Sequence, residues 1–293
     1  MRVAVLITVF NRIDKTIRCL DSLFNSLTNA KDIHIHVYLT DDGSTDGTKE
    51  LLIERYGISG LTILDGNGSL YWNGGMINSW RSAINEGGFD GYLWLNNDSV
   101  VYNNIWEEIV EADNYSLKNY CKRGIYVGST QDPKLGHFTY GGFVYTNKWT
   151  LKDKFILPNG DFQLCQAAHG NITYVSDEVV QSEGIFFDGY IHSGGDHDYS
   201  YRAFKKGFPV IVLRDYVGAC ENDHDEVYGS DFKSLKFKNR IRYLNSPLGF
   251  NMKNTLLFQK RCFPYRYFPV LIAGYFKAFF PNIYFRIYKN MRS

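Results

Sequence analysis

The sequence predicts an α/β fold with a mostly parallel central sheet and helices on both faces. Three observations carry this. Apolar runs of strand length alternate with helical patterns through the first hundred residues, and each run ends in a polar loop. A chain of 293 residues, 44% hydrophobic and 22% charged, suits one large domain with an appendage, or two small domains. Strands alternating with helices imply right-handed crossovers between parallel neighbours.

Each element has a local reason. "VAVLITVF" reads as a first strand, after which Ile17, Leu20, Leu23, Phe24 and Leu27 recur at helical spacing. "IHIHVYLT" alternates strictly from Ile33 to Leu39 and reads as a second strand; His34 and His36 fall on its other face, toward solvent or a helix. "DDGSTDGT" is a loop in which Asp46 could cap the helix "GTKELLIERYG", and Gly57 stops that helix. "LTIL" is a short third strand, "GGMINSWRSAINEGG" a helix stopped by Gly87, and "GYLWL" a fourth strand. Further on, "IYVGST", "HFTYGGFVY" and "NITYV" read as strands, with Gly141-Gly142 at a bulge or turn. Ser176 opens the short helix "SDEVVQSEG". "GGDHDYSYRAFKKGFPVIVL" is a helix and then a strand, with Lys205, Lys206 and Gly207 as stop signals.

The net charge of +1 conceals an asymmetry. After Asp231 come 13 Lys or Arg, 16 aromatics and no Asp or Glu, while the rest of the chain holds 19 basic against 31 acidic residues. A body at 1–231 and a basic, aromatic, helical extension at 232–293 are therefore expected. The extension's "YRYFPVLIAGYFKAFFPNIYFRIYKNMR" is interrupted by Pro269, Lys277 and Pro281, too soon for a spanning helix. Aromatics interleaved with Lys and Arg suit an anionic membrane surface. They equally suit packing on the body or on a second subunit of a homodimer. The five cysteines form no CxxC pair, and the N-terminal apolar run lacks a cleavage site; a reducing cytoplasm is the expected location, with the inner face of the membrane if the tail docks there.

In an open parallel sheet, ligands sit outside the carboxyl ends of the strands. The unusual polar residues here follow strands. Thr8, Asn11 and Arg12 follow the first, and Asp41-Asp42-Gly43-Ser44 the second. Gly66 to Gly68, Trp72, Asn73 and Gly75 follow the third, and Asn96-Asn97-Asp98 the fourth. Each loop alone is ordinary turn chemistry; four converging loops point to a crevice. No G-x-G-x-x-G follows the first strand and no P-loop motif exists, so dinucleotide and P-loop chemistry are excluded; no nucleic-acid partner is expected. A carboxylate such as Asp42 can accept a base N–H, and Asp98 can hold a divalent cation that binds a diphosphate alongside it. Those features point to a nucleotide diphosphate with a metal.

"TVFNR", "DDGSTDGT", "GSLYWNGGMINSW", "LWLNNDS" and "SGGDHDYSYRAFKKGF", in that order, resemble a family 2 glycosyltransferase of the GT-A (nucleotide-diphospho-sugar transferase) fold. "NRIRYLNSPLG" in the tail resembles the bacterial rhamnosyltransferase-like branch. The resemblance implies a nucleotide-diphosphate sugar donor, a glycan or lipid-linked glycan acceptor, a divalent metal (Mn or Mg) and inverting transfer of a sugar such as rhamnose into a bacterial surface polysaccharide. It implies that Asp42 faces the nucleobase and that Trp72, Asn73 and Gly75 lie near nucleotide and sugar. Thr8, Asn11, Arg12 and Asn97 complete the donor side. Asp98 becomes the metal ligand, with His224 as a late one, and Asp196 the catalytic carboxylate. Asn97 departs from the family's frequent Asp, and Gly195 from its usual Glu before the catalytic Asp.

Inverting transfer needs one base on the acceptor hydroxyl and a stabilised leaving group. Asp196 follows Gly194-Gly195 at a helix start, where backbone amides favour a carboxylate; the same position suits a mere helix cap. Asp198 has its own structural role as an i,i+4 partner of Arg202. His192, His169 and Asn171 are candidates for the acceptor side, since pocket-lining loops often carry His. Two other readings stand beside this one. A sugar-phosphate nucleotidyltransferase would need glycines that "TVFNRIDKT" lacks, and a degenerate transferase would bind nucleotide or glycan without catalysis.

Overall fold

The computed structural model describes residues 1–57, 60–221 and 232–292. The α/β architecture is present. Strands β1 (Arg2–Val9), β2 (His34–Asp41), β3 (Leu61–Asp65) and β4 (Gly91–Leu95) alternate with helices α1 (Ile13–Asn25), α2 (Thr48–Tyr56) and α3 (Tyr71–Glu86). Then come β5 (Val100–Val101), α4 (Ile105–Tyr120), β6 (Ile125–Gln131), β7 (Phe138–Tyr140), β8 (Gly142–Asn147), β9 (Lys152–Phe155), β10 (Gln163–Leu164), β11 (Ala167–Ala168) and β12 (Ile172–Ser176). The body closes with α5 (Asp177–Glu183), α6 (Gly195–Lys205) and β13 (Val210–Ala219).

The main sheet runs β10-β13-β6-β12-β4-β1-β2-β3, and β11-β8-β9 form a second, smaller sheet. β3, β2, β1 and β4 are mutually parallel, β12 is antiparallel to both its neighbours, and β6 and β13 are parallel to each other. β1 shows why its sequence is apolar throughout. Val3, Val5, Ile7 and Val9 face one core with Leu20 and Leu23 of α1 and Trp106 and Ile109 of α4. Ala4 and Leu6 face the other, with Met76, Ile77 and Trp80 of α3 and Tyr199 of α6. A strand covered on both faces has no polar side to show.

Two expectations change in detail. "HFTYGGFVY" is not one strand: β7 stays in the main sheet while β8 enters the second. The crossing point admits only glycine, because a Cβ at Gly142 would lie 2.6 Å from a Val212 methyl and 2.7 Å from Cys165 Sγ. Asp46 serves two helices rather than one. Its Oδ1 accepts from Thr48 N–H at 3.2 Å, and its Oδ2 from Ile13 N–H at 3.1 Å, so one carboxylate holds the starts of α1 and α2.

The extension forms α7 (Phe237–Asn245), α8 (Met252–Cys262), α9 (Tyr267–Phe279) and α10 (Pro281–Arg292). Its first half packs on the body. Phe263 is buried and stacks on Tyr201 at 4.7 Å, a burial that stabilises by roughly 2 kcal/mol. Arg261 of α8 binds Asp198 of α6 with Nε–Oδ1 at 2.8 Å and Nη2–Oδ2 at 3.1 Å. Arg202 takes the same carboxylate at 3.0 Å, the expected i,i+4 pair. Asp198 is thus a buried hub between body and tail.

Asp198→Ala should therefore destabilise the protein by about 3 kcal/mol, since Arg261 would keep only its stacking over the Phe187 ring at 4.0 Å. Thermal unfolding and the rate of tryptic cleavage after Lys260 and Arg261 measure this; an unchanged melting point and cleavage rate would remove Asp198 from that role.

Candidate active site

The parallel register places the strand ends at one level. Val9 pairs with Asp41, and Asp41 with Asp65. β4 joins them through the pairing of Leu6 with Trp94. The four following loops open at that edge.

The first loop is strained: Asn11 and Arg12 hold φ of 57° and 64°. Bonds to the second loop fix it, from Asn11 N–H to Ser44 Oγ at 2.7 Å and from Thr45 N–H to Asn11 Oδ1 at 2.9 Å. Arg12 then reaches the fourth loop, with Nη1 at 3.3 Å from Asp98 Oδ2. Asn97 donates its amide to Thr16 Oγ1 of α1 at 3.0 Å.

Asp42 is only 4% exposed. Its Oδ1 accepts from Gly68 N–H and its Oδ2 from Tyr71 N–H, both at 2.9 Å. Gly66 permits this closeness, since a Cβ there would lie 2.6 Å from Asp42 Oδ1. In this state Asp42 holds the third loop in place. To reach a nucleobase directly, it would have to release one of those N–H groups.

Trp72, at the start of α3, ties the two halves of the site together. Its Nε1 donates to Asn96 Oδ1 at 2.8 Å, in the loop that carries Asp98. Its ring lies against Gly170, where a Cβ would come within 2.8 Å of it and 3.4 Å of the Asp196 Cβ. Gly170 N–H in turn donates to Asp196 Oδ2 at 2.9 Å, and His197 N–H donates to Asp196 Oδ1 at 2.9 Å. The N-cap position of α6 is Gly194, so Asp196 lies inside the first turn and its carboxylate bridges to the 169–171 loop. Its side chain is 14% exposed.

Other expected residues stand behind this surface. Asn73 is completely buried and donates its amide to the Phe187 and Tyr190 carbonyls, both at 3.1 Å. Gly75 lets α3 lie against β1: a Cβ there would be 2.0 Å from Thr8 Oγ1. Asn73, Gly75 and Thr8 are frame residues in this geometry. Asn171 is buried, with its backbone carbonyl on Asn96 N–H at 3.0 Å and its amide on Cys220 Sγ at 3.6 Å. His192 approaches Tyr71, ring to ring at 6.2 Å. His224 lies outside the described residues.

His169 borders Asp196 through His197, whose ring is 5.0 Å away. Burial, with the neighbouring His197, pushes the His169 pKa from 6.5 down to about 4. Its Nδ1 lies 3.1 Å from the Gly141 carbonyl, which can only accept, so Nδ1 carries the proton and Nε2 is an acceptor. Sequence reasoning singled out neither Tyr71 nor His197, and took Gly170 only as the middle of a site-lining "HGN".

Among the described residues, no group of three or more His, Cys, Asp or Glu is placed to hold a metal ion. Asp98 and Glu221 line one cavity of about 80 Å³ with Lys15 and Arg18. That set does not make a protein-only cage. Glu221 is paired with Lys15 and Lys134, so Asp98 is the carboxylate left for a Mg or Mn ion whose shell diphosphate and water would complete.

His169 should stay neutral down to about pH 4. Folding then binds fewer protons than the unfolded chain between pH 6.5 and 4, so this residue costs stability increasingly as pH falls through that window. An NMR titration of the ring, and a melting-point loss on acidification that is smaller in His169→Gln, measure it; a ring titrating near 6.5 would contradict it.

A family model described as "Glycosyl transferase family 2" matches residues 4–169, more than half of the chain. Two solved structures of S. aureus TarS 1–349 are similar in fold. One has a TM-score of 0.56 at 12% identity. The other, a complex with UDP-GlcNAc, has 0.57 at 13% identity. In each case 95% of this chain and 81% of that chain are covered. A comparison with curated proteins returned no match. With its mostly parallel sheet and helices on both faces the architecture is the GT-A fold, and the chain belongs to glycosyl transferase family 2.

Proposed function

We propose that the protein is an inverting, metal-assisted glycosyltransferase. It moves a sugar from a nucleotide-diphosphate donor to a hydroxyl of a glycan or lipid-linked glycan in bacterial surface polysaccharide synthesis. The similarly folded TarS complex with UDP-GlcNAc supports a nucleotide-sugar donor. Rhamnose as the sugar rests on the resemblance of "NRIRYLNSPLG". The observation that carries the reading is Trp72, which bonds to the Asn96–Asp98 loop on one side and abuts Gly170 on the other, whose N–H holds the Asp196 carboxylate.

The roles follow from those positions. Tyr71, held by Asp42 and partly exposed, stands at the mouth of the third loop for the nucleotide. Arg12, Lys15 and Arg18 offer positive charge around Asp98 for phosphate oxygens. A bound Mg or Mn at Asp98 supplies charge neutralisation for the leaving diphosphate. Asp196 takes the proton of the acceptor hydroxyl. The hydroxyl oxygen attacks the anomeric carbon opposite the diphosphate, and the breaking C–O bond leaves its electron pair on the diphosphate. His169, neutral and with Nε2 accepting, can orient a second acceptor hydroxyl without competing for that proton.

A panel of nucleotide sugars, assayed for transfer and donor hydrolysis, identifies the donor. With it, Asp98→Ala should lower turnover by roughly 10² or more with the melting point retained, and excess chelator should stop the wild type until Mn²⁺ or Mg²⁺ is restored. Undiminished turnover in excess chelator would overturn the metal assignment.

A further inference from the structure

The sequence of α9, "YFPVLIAGYFKAF", carries one charge, Lys277, and the fold turns that charge inward. The Lys277 ammonium sits 3.6 Å from the Phe250 ring centre and 4.8 Å from that of Tyr284. Gly274 and Ala278 also face inward, and a Cβ on Gly274 would strike the Met252 methyl of α8. The outward face is left wholly apolar. Phe268, Ile272, Tyr275 and Phe279 follow one another at i, i+4, i+7 and i+11, and they are 70, 68, 46 and 56% exposed. α10, which follows directly, exposes Ile283 and Ile287 on either side of Arg286.

The other end of the stripe meets the β8–β9 turn. Trp149 at its tip is 72% exposed and lies 4.8 Å, ring to ring, from Tyr265, whose hydroxyl donates to the Lys148 carbonyl at 2.9 Å. An aromatic tip is thus pinned beside the apolar helix. Lys148, Lys152 and Lys154 are exposed on the same hairpin, with Asp153 between the last two.

We propose that the outer face of α9, the start of α10 and the Trp149 turn form one surface that lies on an anionic lipid bilayer. Packing leaves this patch unexplained, and contiguous exposed apolar faces of this kind mark interaction sites. Among the described residues no helix is long and apolar enough to cross a membrane, so the patch lies on the bilayer plane. Charge selects the occupant. The extension has no acidic residue after Asp231, and Lys236, Lys238, Arg242, Lys253, Lys260 and Arg286 are exposed on it. Arg286 stands between the two exposed α10 isoleucines and Lys148 beside Trp149, and a second copy meeting the same face would bring these like charges together. An anionic headgroup layer complements them, and aromatic rings suit its interface. The proposal does not depend on the catalytic reading.

The test is co-sedimentation of the full chain with vesicles of phosphatidylcholine alone or mixed with phosphatidylglycerol, at low and high salt. The wild type should bind the mixed vesicles, and binding should weaken with salt. The double variant Phe268→Asp/Ile272→Asp should lose at least roughly tenfold in affinity with an unchanged melting point, and Trp149→Ala should lose less. Three results would overturn the proposal: no binding to mixed vesicles at low salt, equal binding to neutral vesicles, or a concentration-dependent dimer that the double variant abolishes while vesicle binding persists.

Discussion

The parallel register of β1 to β4 is the constraint on which the rest depends. It sets Val9, Asp41 and Asp65 abreast, with β4 alongside, so four loops distant in sequence must leave the sheet together. Burial on both faces makes this register hard to slip, since a one-residue shift would exchange the Val3-Val5-Ile7 face for the Ala4-Leu6 face. The loops are then free to carry polar groups that the strands cannot.

Those loops are held largely by carboxylates that accept backbone N–H groups. Asp46 fixes two helix starts, Asp42 fixes the 68–71 segment, and Asp196 fixes Gly170. Glycines make the short distances available: Gly66 beside Asp42, Gly75 beside Thr8 and Gly170 beside Trp72. These ties set the positions of the loops through the protein's own hydrogen bonds, and positioning of this kind is what orientation catalysis requires.

Much of this was legible in the sequence. β1 to β4 and the helices between them are marked by periodicity and by stops such as Gly57 and Gly87, which the structure places at helix C-termini with positive φ. The i,i+4 pair of Asp198 and Arg202 was also readable, but the third partner was not, because Arg261 lies far away in sequence. Long-range contacts explain the other gaps. The resemblance set Asn73 near nucleotide and sugar, and nothing in the sequence showed that its amide would be held by the carbonyls of Phe187 and Tyr190, more than a hundred residues away. Lys277 interrupts an apolar run in sequence, yet in space it leaves the exposed face of α9 uninterrupted.

The account's central claim is that Asp196 accepts the proton of the acceptor hydroxyl, on a carboxylate positioned by the N–H groups of Gly170 and His197. The most direct measurement compares turnover, donor affinity and melting temperature of Asp196→Asn with the wild type. Asn keeps the size and can still accept the Gly170 N–H, but it loses the proton-accepting charge. The account predicts a fall in turnover of roughly 10² to 10⁴ with donor affinity and melting temperature nearly unchanged. Full turnover in a stable Asp196→Asn protein would contradict it and leave that carboxylate as a structural tie between α6 and the 169–171 loop.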